Sequence, residues 1–182
     1  MAKKFDMKAD NRTRRDLLVR LEPYWKMEAG NAVILPLAAL LLSKGKVSWV
    51  GLVPMSAMVL LLVVGALYWR GKVRLLKQEA VDWPGLMRLL ARLQWPALIL
   101  TLLGCAAMLA GWILPGLALG EADRWVATGC AVLAALEYVN YYHRQLQHFD
   151  NKADFRRMLA GQGFRQSWMA RDLAAWRKGQ AR

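Results

Sequence analysis

Residues 47–69 (VSWVGLVPMSAMVLLLVVGALYW) run for 23 positions without a charged side chain. No other stretch limits the possible folds so sharply. As a helix the run is about 34 Å long, a little more than a bilayer hydrocarbon core. It is apolar on every side, so it has to be surrounded by lipid or by the core of a large protein. The chain has 182 residues, the size of one domain, and the run reads as its clearest membrane span. Trp49 and Trp69 stand near the two ends of the run. In a helix they are about 30 Å apart, the spacing of aromatic girdles at two membrane interfaces.

Composition then fits the same class. Apolar residues are 57% of the chain, yet 26 Lys and Arg against 13 Asp and Glu leave a net charge of +13. The two properties coexist because the apolar residues form blocks with the charges between them. The expected fold is all-α: a transmembrane domain over residues 29–142 with four spans, at about 29–43, 47–69, 95–114 and 125–142, arranged as two hairpins. The first block is short and has Pro36 in its middle; a re-entrant half-helix is its alternative. The third is bracketed by Trp95 and Trp112. Gly104, Ala107 and Gly111 in the third block, and Ala127, Ala131 and Ala135 in the fourth, place small side chains at helical spacing. Such faces let helix backbones approach, so spans three and four are expected to form the tightest pair.

The remaining segments are basic. Residues 1–28 form an N-terminal segment in which Asp10 or Asn11 can cap a helix that Pro23 breaks or kinks. They contain no apolar stretch with a small-residue cleavage site, so the first span is expected to act as its own uncleaved signal. In the loop 70–94, Asp82 followed by Trp83-Pro84 reads as a capped helix start leading into the third span. The tail 143–182 is expected to form two amphipathic helices. Asp150 caps one carrying Phe155, Met158 and Leu159; Ser167 caps another carrying Met169, Leu173 and Trp176.

Of the 26 basic residues, all but Lys44, Lys46 and Arg124 lie in residues 1–30, 70–94 and 143–182. Positive residues favour the cytoplasm, so both termini are expected there, in a bacterial inner membrane. A basic cytoplasmic face suits anionic lipid headgroups, a protein partner or self-association. Asp6, Asp10, Asp16 and Glu22 interrupt the N-terminal positive charge and argue against a nucleic-acid arm.

Little in the chain points to chemistry. No nucleotide-loop, nucleophile-elbow or metalloprotease motif occurs. Cys105 and Cys130 lie inside apolar blocks, and His143 and His148 share one segment but not one helix face. Neither a metal, a haem nor any other cofactor is expected. The exception is the end of the fourth block, EYVNYYHR, where Glu137, Asn140, Tyr141 and Arg144 fall at i, i+3, i+4 and i+7. An acid within a span is a candidate functional residue by default, and Glu28 on the first span lies at a similar depth. The candidate cluster is therefore Glu137, Asn140, Tyr141, Arg144, His143 and Glu28. The leading expectation is a non-enzymatic membrane protein that presents its basic face to lipid or protein. A small transporter or channel using Glu137 is the alternative. A lipid-modifying enzyme using Glu137, His143 or His148 as base ranks third.

Overall fold

A computed structural model of the protein describes residues 2–114, 116–146 and 164–180, with residues 2–13 as backbone alone. Among the described residues there are five helices and no strand: α1 (Ala2–Leu42), α2 (Trp49–Leu76), α3 (Trp83–Ile113), α4 (Glu121–Tyr142) and α5 (Trp168–Gln180). Three of them are long and apolar enough to cross a membrane, over Arg14–Leu42, Trp49–Leu76 and Trp83–Ile113.

The uncharged run is the middle of the molecule. α2 packs against α1, α3 and α4, and its Val50, Ala57, Leu61, Val64 and Tyr68 are fully enclosed. Its first turn is capped by Ser48, whose Oγ accepts from the Val50 N–H at 3.1 Å. At the other end α2 outlasts the apolar run by nearly two turns and finishes in the basic RGKVRLL sequence. α3 starts where the Asp-Trp-Pro signal places it. Asp82 accepts from the Gly85 N–H at 2.9 Å, and the helix then runs unbroken through Pro96 to Ile113.

α1 differs from expectation. It is continuous through Pro23 and Pro36, and no helix begins at Asp10 or Asn11. Pro36 occurs where α1 is peripheral: Val33, Ile34, Leu37 and Leu41 beside it are exposed. A proline lacks one N–H and crowds the carbonyl four residues back, which a helix can accommodate without ending. The inner part of α1 is tied to the end of α2. The Arg14 guanidinium donates to the Leu76 carbonyl, Glu22 pairs with Lys77 at 3.3 Å, and Tyr24 packs on Trp69.

The helix pairing is also corrected. α3 and α4 touch each other less than either touches α2. The small residues of α3 are spent on α2: a Cβ at Gly104 would lie 2.9 Å from the Pro54 backbone, and one at Gly111 would lie 2.5 Å from the Val50 side chain. Small residues predict close approach but do not name the partner.

α5 lies under the bundle as the periodicity predicts. Ser167 caps it, accepting from the Ala170 N–H at 3.1 Å, and Met169 and Leu173 are buried. Asp172 receives both the Tyr68 hydroxyl and the Lys72 ammonium of α2. The helix expected after Asp150 lies outside the described residues, as does His148.

Candidate functional site

α1, α2 and α4 bring together four of the polar residues singled out in the sequence. Glu28 on α1 is 2% exposed, and Glu137 and Tyr141 on α4 are 8% and 2% exposed. The two acids are within electrostatic range of each other, and the Tyr141 hydroxyl lies within range of both. Asn140 completes the group, its Nδ2 donating to Glu137 Oε2 at 3.3 Å.

α2 contributes a gap. A Cβ at Gly65 would stand 2.0 Å from the Tyr141 hydroxyl oxygen. The glycine is therefore the notch that admits the phenol ring between α4 and α1. Gly65 was not distinguishable in the sequence from any other glycine in a span; only its opposition to Tyr141 marks it.

This group is poorly satisfied. Glu28 Oε2 and the Tyr141 hydroxyl are buried and make no hydrogen bond among the described residues. Neither acid belongs to any of the described ion pairs. Glu28 is fourteen residues from Leu42 at the end of α1, and Glu137 sixteen from Glu121 at the start of α4. They thus lie about 21 Å and about 24 Å along their helices from those ends.

Arg144 and His143 do not join them. α4 ends at Tyr142, so the helical stripe stops before Arg144. Arg144 is exposed, donates to the Phe164 carbonyl at 3.1 Å and pairs its backbone with Gln166. His143 is the exposed C-cap, its ring 5.5 Å from that of Tyr138. Among the described residues no three His, Cys, Asp or Glu side chains are grouped to hold a metal ion.

A second feature lies below. Between α1, α2 and α5 is a cavity of about 520 Å³. Leu17, Leu21 and Leu75 line part of it, with Tyr24, Trp69 and Trp168. Arg20, Lys72, Arg165 and Arg171 add basic groups to the lining. The Arg171 guanidinium stacks 4.3 Å over the Trp168 ring, and Lys72 lies 5.1 Å from the Trp83 ring. Basic and apolar groups thus share one hollow at the charged end of the bundle.

The outer end holds a residue the sequence did not signal. Asp123 is 1% exposed. Its Oδ2 accepts from the Ser48 hydroxyl at 2.6 Å, the Ser48 N–H at 3.2 Å and the Leu119 N–H at 2.9 Å. It therefore pins the start of α2, the preceding loop and α4 together. In the sequence it reads as an ordinary first-turn acid, favourable at a helix N-terminus.

Comparisons with protein-family models, curated proteins and solved structures find no match to this chain.

Proposed function

We propose that the chain is a four-span, non-enzymatic membrane protein that holds an anionic lipid headgroup at its cytoplasmic face. The cavity beneath α1, α2 and α5 carries this reading. Its leucines and aromatic rings suit the glycerol and upper acyl region, and Arg20, Lys72 and Arg171 suit a phosphate. Each cation near an anionic surface contributes roughly 1 kcal/mol. Asp172 takes up part of the Lys72 charge, which leaves the arginines as the main attraction.

The fourth span is α4. Its 22 residues are about 33 Å long. Its average hydropathy is lowered by Asp123, Glu137 and Tyr141, which face inward and are buried. The outward side shows Trp125, Val132 and Leu136, all at least half exposed. Lipid would meet a mainly apolar side between Trp125 and Leu136. With four spans, the distribution of basic residues puts both termini in the cytoplasm of a bacterial inner membrane.

Two measurements test the reading. Full-length protein in detergent should gain more thermal stability from phosphatidylglycerol than from phosphatidylcholine. An Arg20→Gln/Arg171→Gln variant should lose roughly 2 kcal/mol of that difference. Equal stabilisation by both lipids would end the headgroup assignment. For topology, Ala122→Cys in a background without native cysteines should react with an impermeant maleimide in intact cells, and Ala80→Cys should not. Reaction of Ala80→Cys from outside would remove the four-span arrangement.

A further inference from the structure

The Glu28–Tyr141–Glu137 group is not explained by a lipid at the cytoplasmic face. In a low-dielectric interior an ionised carboxylate needs a counter-charge or several donors. The groups facing these two acids are few. From α4 come Asn140 and Tyr141, and on the α2 side Gly65 lies against the Tyr141 ring. The interacting neighbours of Glu28 are Tyr141 and Glu137; those of Glu137 are Asn140 and Tyr141. No lysine, arginine or histidine is among them. The nearest cation along α1, Lys26, is exposed and paired with Glu22 at 3.5 Å. Arg144, the one cation the sequence offered as a companion, turns away to Phe164.

The hydrogen-bond inventory shows what is missing. Two ionised carboxylates are acceptors only, and the group contains one amide and one hydroxyl to donate to them. A Glu28 oxygen and the tyrosine hydroxyl both stay unbonded in the interior. One added proton on either carboxyl removes a charge and supplies the missing O–H donor. A metal cation would need room for several oxygens around it, and the phenol is already seated against Gly65 where not even a methyl group fits. Below the pair, Tyr24 lines the cytoplasmic cavity one helical turn, about 6 Å, before Glu28.

We propose that Glu28 and Glu137, with the Tyr141 hydroxyl in range of both, form a membrane-embedded proton-binding site that carries one exchangeable proton and communicates with the cytoplasmic side. The site stands whether or not the cavity takes lipid. It is a binding site for a proton, with Tyr141 as the positioning residue.

Hydrophobic carbodiimides test this directly, because they react with protonated carboxyl groups at membrane depth. Full-length protein in nanodiscs should take up one dicyclohexylcarbodiimide per chain, mapped by peptide mass to Glu28 or Glu137. The rate should fall as pH rises, approaching about tenfold per unit once the site titrates. Sodium chloride should give no protection. Tyr141→Phe should change the pH profile of labelling while leaving the protein folded by thermal melt. Mapping on the wild-type chain needs no variant, so a misfolding Glu28→Gln/Glu137→Gln control would not remove the test. Absence of an adduct on folded protein, or an adduct confined to Asp123, would overturn the proposal. Protection by sodium would replace the proton with a metal cation and overturn it equally.

Discussion

Two ends of one helix, α4, bury carboxylates in opposite ways. At the outer end Asp123 meets a hydroxyl and two backbone N–H groups. Those donors belong to the start of α2 and the loop before α4, so the acid doubles as a clasp between chain segments. At the inner end Glu137 has one amide donor at 3.3 Å and shares its surroundings with a second acid. Burial is nearly the same at the two ends. What differs is the number of protons offered to the carboxylate. Asp123 Oδ2 takes three donors and ties chain segments together, while its Oδ1 is buried without a hydrogen bond among the described residues. At the inner end two carboxyls share one amide and one phenol, and that separates the site from the clasp.

The largest expected effect lies at the outer end. Asp123→Ala removes the acceptor from three donors, two of them backbone groups that have no other bond in the described structure. Each buried donor left without an acceptor costs about 1–3 kcal/mol, so the loss should be about 3–5 kcal/mol. Thermal or denaturant unfolding in detergent measures it. A loss below about 1 kcal/mol would place Asp123 among ordinary surface acids and dissolve the contrast between the ends.

The next effect sharpens the inner end. Gly65→Ala puts a methyl group 2.0 Å from the Tyr141 hydroxyl oxygen and 2.3 Å from its ring carbon. The ring has to move, which should cost about 1–3 kcal/mol. Tyr141→Leu removes the clashing atoms. The double variant Gly65→Ala/Tyr141→Leu should therefore be more stable than the sum of the single changes predicts. Additive losses would mean that Gly65 serves the α1–α2 contact and not the tyrosine.

Much of the scaffold could be read from the sequence because the membrane makes long apolar helices obligatory. The run at 47–69, the Asp82 cap and the α5 face with Met169 and Leu173 all depend on local pattern. Features that depend on which helix meets which were out of reach. Gly104 and Gly111 announced a close contact, and the sequence could not say that α2 is the partner. Arg144 fell on the right stripe, but the stripe ended with α4 at Tyr142. Glu137, Asn140 and Tyr141 could be grouped because they share one helix. Glu28 could be placed beside them by depth alone, since span lengths fix depth. Gly65 and Asp123 gave no such signal: a glycine notch and a carboxylate clasp are each defined by a residue more than seventy positions away.

The smallest expected effect is Glu137→Gln, and it distinguishes the two ends most directly. Glutamine matches a protonated glutamic acid in size and keeps an oxygen for the Asn140 amide. If the inner pair already carries a proton, the substitution removes little that the folded protein uses. Stability should then stay within about 1 kcal/mol of wild type, with a gain as acceptable as a loss, because a lone buried polar group need not be net stabilising. The matching change at the outer end, Asp123→Asn, should be costlier. It turns an acceptor facing three donors into a group that also carries two donors of its own. Unfolding of both variants under the same detergent conditions gives the comparison. If Glu137→Gln proved the more damaging of the two, Glu137 would be a structural acid like Asp123, and the inner pair would lose its claim to the exchangeable proton.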